Sequence, residues 1–259
     1  MPELPDLQVF SRKLNKKLRG KTLKKVSVPV DKKLNVSIEK FKTRFEKQKL
    51  DEVYRDGKEL HFKFSNGHVL ALHLMLRGQL YIFEKQNEHK YSIIELLFTD
   101  DTGLALSDYQ KAATPTLNPQ ERKAPDALSE TVNFNFLKQE LQSTKTTIKN
   151  LLLDQHVIRG VGNAYADEIL WDARISPFSI CNKIPDATIK KLAKSIKAVL
   201  HDAEKQILKT NSEIISGEVR DFLKIHNSRK TKSPTGGVIQ FKMVSSRKSY
   251  YTHEQELFK

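Results

Sequence analysis

Pro2, in the opening stretch MPELPD, can do covalent chemistry once it stands at the chain terminus, and Glu3 lies beside it. Removal of Met1 would expose Pro2 as a secondary amine, and an α-amino group has a pKa of roughly 7.7–8.0 against about 10.4 for lysine. More of this amine is therefore neutral and nucleophilic at physiological pH, with no burial required. A helix that begins with prolines in its first turn is the plainer interpretation, and both stay open here.

A second candidate, a site for an anion, lies in the stretch RGVGNAYADE at 159–168. Gly160 and Gly162 allow a close approach of the backbone, and a helix predicted to begin at Asn163 presents free N–H groups to an anion. Tyr165 stands where a dinucleotide fingerprint needs its third glycine, and no strand precedes the turn, so the stretch is not that fingerprint. A packing corner between two helices is the alternative.

The charge of the chain indicates the kind of partner. Its 45 Lys and Arg against 31 Asp and Glu give a net charge of +14, and the residues before and after 128 share this excess equally. Such an excess attracts a polyanion, and nucleic acid is the default partner. No basic helix has the strong apolar face that binding to anionic lipid would require, so we expect no membrane partner.

Composition also limits cofactors and location. Cys181 is the single cysteine, which excludes an internal disulfide and any zinc site built on cysteine pairs, and we expect no cofactor. No apolar run resembles a signal peptide or reaches membrane-spanning length. We therefore expect an intracellular monomer, in the cytoplasm or at the nucleoid if the source is bacterial.

The elements that must position these residues change in kind along the chain. Apolar residues at helical spacing predict a helix over 5–19, and alternating segments up to residue 108 predict strands joined by hairpins. The Pro-rich polar stretch 118–128 predicts a linker. After the linker, the pattern predicts a basic C-terminal hairpin and, before it, four helices at about 134–142, 145–153, 163–173 and 186–209.

Six stretches of the chain, in the expected order, resemble the formamidopyrimidine-DNA glycosylase / endonuclease VIII family. That family begins with Pro-Glu-Leu-Pro after loss of the initiator Met, and the segment 151–177 resembles its helix–two-turn–helix. The other matching stretches are RDGKELHFKF, STKTTIKNLLLD, APDAL and GGVIQFKMVSSRKSYYT. The resemblance implies an α+β protein of two domains. Its parts would be an N-terminal helix plus β-sandwich (1–117), a linker (118–128), a helix–two-turn–helix domain (129–226) and a finger hairpin (227–259).

The resemblance also implies roles for three residues in catalysis. Pro2 would attack C1′ of a damaged nucleotide, expel the base and form a covalent imine that permits strand cleavage by elimination. Glu3 would be the general acid/base that helps open the sugar ring. Lys58 would contact the phosphate near the lesion and support the developing charge, although an exposed strand lysine is the ordinary interpretation of that residue alone.

Three further residues are implied to hold DNA. Lys149, Asn163 and Arg247 would contact the phosphates of a kinked backbone, which positions the duplex without reading its sequence. For Arg247 alone, a solvated charge on a hairpin is an equally good interpretation.

The sequence departs from the family pattern at the finger and at Asp6. Many members bind zinc through four finger cysteines, whereas the corresponding positions here are approximately Lys232, Thr235, Thr252 and Gln255. The chain therefore resembles the zincless branch, whose finger must be stabilised by packing. Asp6 replaces a usual glutamate, which keeps a carboxylate with a shorter reach.

A second departure concerns the side chains that fill the space left by the everted base, usually Met, Arg and Phe. Leu76 takes the first position, with Met75 beside it, and Lys111 and Ala112 stand at the other two. Ala112 cannot act as a wedge. The lesion-capping loop also looks short, which favours oxidised pyrimidines, hydantoins or abasic sites as substrates.

These observations predict a DNA repair glycosylase with abasic-site lyase activity, whose partner is duplex DNA that carries oxidised or abasic sites. The alternative is a non-catalytic binder of damaged DNA that keeps the scaffold. A structural nucleic-acid protein that shares only the helix–two-turn–helix is a third interpretation, and the presence of Pro2, Glu3 and Lys58 argues against it.

Overall fold

The computed structural model describes residues 1–259, which form an α+β structure of two compact units. The first unit contains Met1–Glu121 and Ile207–Glu218, and the second contains Arg122–Gln206 and Val219–Lys259. No helix in the chain combines the length and the apolar character needed to cross a lipid bilayer.

The first unit is built from one long helix, one short helix and two antiparallel sheets. The helices are α1 (Leu4–Leu18) and α2 (Ile38–Phe45). The strands are β1 (Leu23–Ser27), β2 (Leu50–Asp56), β3 (Glu59–Phe64), β4 (Val69–His73), β5 (Gln79–Glu84), β6 (Ser92–Phe98), β7 (Thr102–Ser107) and β8 (Thr114–Leu117). One sheet has the order β1-β6-β7-β5 and the other β2-β3-β4-β8, and α1 packs against β2 and β3.

The N-terminus is fixed because α1 begins immediately after it. The Asp6 carboxylate accepts the backbone N–H of Glu3 at 2.9 Å, which satisfies one of the donors that every helix start leaves unpaired. Pro5 occupies the first turn, where its missing N–H costs nothing. The apolar face carrying Leu7, Phe10 and Leu14 is fully buried, so the helix cannot shift without exposing it.

The second unit contains four helices, a 3₁₀ turn at Cys181–Lys183 and a hairpin. The helices are α3 (Phe134–Gln142), α4 (Ile148–Leu153), α5 (Asn163–Asp172) and α6 (Asp186–Thr210), the last of which ends in the first unit. The hairpin pairs β9 (Gln240–Val244) with β10 (Arg247–Tyr251) through Ser245 and Ser246. Both serines have positive φ, as a two-residue hairpin turn with the twist of its strands requires.

The predicted helices are confirmed, with small changes at their ends. Three elements are not predicted by the sequence pattern. These are α2, β2 and β8. The sequence of β2 does not show the alternation of apolar and polar residues that predicts a strand. The reason is that β2 lies at the edge of its sheet and buries only Leu50 and Val53. The structure also differs from the sequence-based division, since Ile207–Glu218 belongs to the first unit.

Candidate active site and nucleic-acid interface

Pro2 lines an open cavity of about 470 Å³ in the first unit. The loop between β4 and β5 supplies Leu76, Arg77 and Gly78 to its wall, and the segment before residue 219 supplies Glu218. Leu76 is 63% exposed, and the Arg77 side chain is also exposed. The predicted nucleophile and the first predicted void-filling residue therefore share one cavity, together with a cation that the sequence reading had not singled out.

The N-terminal amine of the chain is held by an acidic residue. The Met1 ammonium donates to the Glu218 carboxylate and forms an ion pair with it. With Met1 in place, the Pro2 nitrogen is an amide and has no nucleophilic lone pair. Glu3, next in the chain, is buried as the residue that caps α1. Covalent chemistry at Pro2 therefore requires the removal of Met1.

Lys58 lies in a turn and not in a strand. Gly57 and Lys58 form the two-residue turn between β2 and β3, where Asp56 pairs with Glu59, and Gly57 takes a positive φ of 57°. The Lys58 side chain is half-buried and makes contacts within the protein. It does not line the Pro2 cavity. Its predicted role at a DNA phosphate stays a prediction.

Lys111 and Ala112 belong to a loop that is organised by one buried carboxylate. Asp108 accepts the backbone N–H groups of Gln110, Ala112 and Ala113 at 2.8–2.9 Å. Lys111 adopts a positive φ of 52° and is exposed. Neither Lys111 nor Ala112 lines the Pro2 cavity, so the structure brings only Leu76 of the predicted void-filling set to that cavity.

In the second unit, Asn163 is the first residue of α5 and follows the predicted glycine turn. Gly160 has a φ of 100°, a conformation that favours glycine, and its N–H is held by the Gln155 side chain at 2.9 Å. The Asn163 amide donates to the Lys248 carbonyl of the hairpin at 2.9 Å, and its oxygen is buried without a partner. The residue therefore connects the turn to the hairpin.

Lys149 does not occupy the exposed position that contact with a DNA phosphate requires. Its side chain is 0% exposed, and its ammonium donates to Asp167 and to Ser249 Oγ, each at 2.6 Å. A buried ammonium is stable only with a carboxylate partner, and Asp167 supplies one. In this structure Lys149 joins α4 to α5 and β10, and its predicted contact with a phosphate stays a prediction.

Two neighbouring acids on α5 anchor the segment that leads into the hairpin. Asp167 also accepts from His226 Nδ1 at 2.7 Å and from the Tyr250 N–H at 2.9 Å. Glu168 accepts three consecutive backbone N–H groups, those of residues 224–226, each at 2.8 Å. Burial raises the pKa of Glu168, and these three hydrogen bonds oppose the rise.

Neither acid is predicted from the sequence to be a functional or structural residue. The sequence does contain a signal for them, because Asp167 and Glu168 interrupt a mostly apolar helical segment. An unpaired acid would be costly to bury there, so such acids are expected to have hydrogen-bond partners.

The base of the finger is organised around Glu254, which is not one of the four positions assigned to zinc ligands. Its carboxylate accepts from Ser233 at 2.8 Å, Thr252 at 3.0 Å and Trp171 Nε1 at 3.2 Å, and from Thr235. The Thr235 hydrogen bond, aided by those of the other three donors, lowers the pKa of Glu254 to about 2. Thr235 and Thr252, two of the four positions that correspond to zinc ligands in the family, therefore donate hydrogen bonds to Glu254.

The other two assigned positions also have protein partners. Gln255 accepts the Thr252 N–H and donates to the Ile175 carbonyl, each at 2.8 Å. Lys232 pairs with Val238 through the backbone. No group of three or more His, Cys, Asp and Glu side chains in the chain could hold a metal ion.

Arg247 lies at the exposed tip of the hairpin, where β10 begins. Phe241 and Met243 of β9 are exposed as well, and the Lys248 ammonium lies 3.7 Å from the centre of the Phe241 ring. An exposed ribbon that combines cations with apolar side chains has the chemistry of a nucleic-acid contact.

Comparison with known families matches both units. The formamidopyrimidine-DNA glycosylase N-terminal domain matches residues 1–114, and the formamidopyrimidine-DNA glycosylase H2TH domain matches residues 124–213. A formamidopyrimidine-DNA glycosylase of Lactiplantibacillus plantarum is 33% identical over 76% of this chain and 75% of its own length. That of Carboxydothermus hydrogenoformans is 30% identical over 88% of this chain and 84% of its own.

Solved structures agree on the fold. The Lactococcus lactis Fpg in complex with DNA containing an abasic site superposes with a TM-score of 0.89 at 23% identity, and the match covers 98% of this chain and 100% of that chain. Both units, the N-terminal Pro-Glu-Leu-Pro and the glycine turn before α5 thus lie within matched regions. The chain belongs to the formamidopyrimidine-DNA glycosylase family.

Proposed function

We propose that this protein, a DNA repair glycosylase by family, excises oxidised bases and also cleaves the strand at abasic sites, with the Pro2 amine as nucleophile. The observation that carries the proposal is the position of Pro2 in an open cavity beside the unpaired cation of Arg77. A cavity of about 470 Å³ can take an everted nucleotide, and a guanidinium suits its phosphate or a polar base edge.

In the proposed reaction, the Pro2 nitrogen attacks C1′ once Met1 has been removed. A nitrogen–carbon bond forms, the bond from C1′ to the base breaks, and the base leaves with a proton. The sugar ring then opens as the bond between C1′ and O4′ breaks, O4′ takes a proton, and a charged iminium remains. Glu3 is the group that we assign to this proton transfer, since it follows Pro2 directly.

Strand cleavage follows from the charge of the iminium. Because its positive nitrogen withdraws electrons, the proton on C2′ becomes acidic, and loss of that proton expels the 3′ phosphate. Lys58 is the group proposed to support the charge at a phosphate. Hydrolysis of the iminium then frees Pro2.

Asn163 and Arg247 are proposed to hold the DNA backbone, and Arg247 provides the sharper test because it is exposed at the hairpin tip. A phosphate contact carries no sequence information. We expect Arg247→Ala to weaken binding of damaged and undamaged duplexes alike and to reduce the slope of log affinity against log salt by about 1. Loss of affinity for only one base sequence would show that Arg247 contacts a base.

Borohydride trapping on an abasic duplex tests the enzyme assignment, after mass spectrometry has established that Met1 is absent. We expect a covalent adduct whose formation requires a free Pro2 amine, and none from protein that retains Met1. Pro2→Gly is the matched variant, since it places a primary amine where Pro2 has a secondary one. If the protein without Met1 binds the duplex but forms no adduct, it is a non-catalytic binder of damaged DNA, a function that the small side chain of Ala112 favours.

A further inference from the structure

A second cavity, of about 350 Å³, adjoins the cavity at Pro2. The two share Arg77 and Gln79 in their walls, so that a group bound in one lies next to a group bound in the other. The second cavity is further lined by Tyr91, Ser107 and Tyr109. None of these three residues has a part in the reaction described above.

Tyr91 and Tyr109 differ from every other tyrosine of the chain. They are 60% and 57% exposed, and neither ring contacts another ring or a cation of the protein. The chain has seven tyrosines, and the rings of the other five pack against an aromatic ring, a histidine or an arginine. Two large aromatic faces at one cavity are thus left without a partner inside the protein.

The backbone holds the two tyrosines at this cavity. The Tyr91 carbonyl accepts the N–H of Asp108 at 2.9 Å, and Tyr109 follows Asp108 directly. Tyr91 has a φ of 62°, a left-handed conformation that is unfavourable for a bulky residue and that the surrounding loop must hold in place. The three backbone hydrogen bonds to the Asp108 carboxylate fix the other loop. The rings are therefore presented from constrained loops.

The remaining groups of the cavity are polar or cationic. Ser107 is buried, and its hydroxyl has no hydrogen-bond partner, a cost that a polar group of a ligand would offset. Arg77 and Lys90 are exposed and form no ion pair within the protein. Aromatic faces beside free cations are the combination that binds single-stranded nucleotides, by stacking on the base and attraction of the phosphate.

We propose that this cavity binds an unpaired nucleobase of the DNA whose damaged sugar lies at Pro2, with the base stacked on Tyr91 and Tyr109. The inference rests on the proposed function, since it places the substrate in the neighbouring cavity. The bound base is either the one opposite the lesion or one that flanks it.

The test combines tyrosine variants with removal of single bases. Binding is measured to a duplex that carries a tetrahydrofuran abasic analogue, which cannot be cleaved. We expect the double variant Tyr91→Ala/Tyr109→Ala to bind it about 5- to 150-fold more weakly. The measurement is repeated on three duplexes that each lack one more base: the base opposite the analogue, the 5′ neighbour or the 3′ neighbour. We expect the loss of affinity caused by the double alanine variant to disappear on one of these three duplexes. The base that this duplex lacks is then the one that stacks on the tyrosines.

Tyr91→Phe/Tyr109→Phe is the matched control, because it keeps both rings and should bind within about twofold of the unmodified protein, since base stacking needs only the aromatic face. Thermal unfolding of both double variants checks that the fold is intact. A penalty of equal size on all four duplexes, or no penalty on any, would overturn the proposal. Binding to the abasic analogue needs no covalent chemistry at Pro2. If borohydride trapping failed, the binding measurements would therefore still test the proposed stacking on the two tyrosines.

Discussion

The residues around Pro2 and the residues beneath the C-terminal hairpin are held in place by opposite means. Around Pro2, loops present exposed side chains such as Leu76 and Arg77, and a single ion pair holds the terminal amine. Beneath the hairpin, each of the carboxylates Asp167, Glu168 and Glu254 accepts at least three hydrogen bonds.

Stability and chemistry are assigned to different parts of this chain. Groups that must meet a substrate cannot be satisfied by the protein itself, so Arg77 at the Pro2 cavity has no ion-pair partner, and Tyr91 and Tyr109 in the adjoining cavity keep exposed aromatic faces. The three carboxylates beneath the hairpin each accept several hydrogen bonds, because an unpaired buried charge would cost several kcal/mol. Changes at the cavity should therefore alter activity at constant stability, and changes beneath the hairpin should do the reverse.

The largest effect is expected at Glu3. Glu3→Gln keeps the size of the side chain but removes the proton that a general acid must transfer, so single-turnover base excision should fall about 10²- to 10⁴-fold. Affinity for an abasic-analogue duplex and the unfolding temperature should change little. Equal losses of binding and excision would show that Glu3 serves only to hold the start of α1.

Asp167→Ala should give the opposite result. It leaves the buried Lys149 ammonium without its carboxylate, and the free energy of unfolding should fall by about 3–5 kcal/mol in urea titrations. Asp172→Ala is the control on the same helix, since Asp172 accepts from one neutral hydroxyl, that of Ser195, and should cost only about 1 kcal/mol. Similar losses in the free energy of unfolding in the two variants would mean that the ion pair between Lys149 and Asp167 contributes no more than an ordinary hydrogen bond.

Ala112→Phe should have a smaller effect, on the excision of bases that are still paired. An added aromatic ring can fill the space of an everted base, and stacking is worth about 1–3 kcal/mol. We expect the unmodified protein to excise an oxidised base faster from a bubble than from a stable pair, and the variant to narrow that gap about tenfold, at 1.4 kcal/mol per factor of ten. Equal rates on both substrates in the unmodified protein would show that another residue already supplies the wedge.

The smallest effect concerns Glu254 and pH. Its pKa in the folded protein, about 2, lies below the ordinary value of 4.5, so its hydrogen bonds stabilise the folded state above pH 4.5. That contribution declines as the pH falls from 4.5 towards 2. The unfolding temperature of Glu254→Gln should be lower than that of the unmodified protein at neutral pH, and the difference should shrink across this range. A constant difference would exclude the charge of Glu254 as its cause.

Local pattern was sufficient for much of the fold. The spacing of Leu7, Phe10 and Leu14 predicts α1, and the same periodicity predicts all four helices of the second unit because their buried faces are continuous. Local pattern did not predict β2, because this edge strand buries too few residues to show the alternation of apolar and polar side chains. Pro2 is a candidate from the sequence alone, since the ordinary pKa of a terminal amine is low, whereas Glu3 is a candidate only through the family resemblance.

The tertiary structure decided the rest, because it joins residues far apart in the chain. Lys149 and Ser249 are 100 residues apart, and only the packing of β10 over α4 and α5 turns an expected phosphate ligand into a buried ion pair. Likewise, the absence of finger cysteines is plain in the sequence, whereas the use of Glu254 in their place is not. The sequence determined which chemical groups the protein has, and the fold determined which of them are satisfied internally and which are left to meet a substrate.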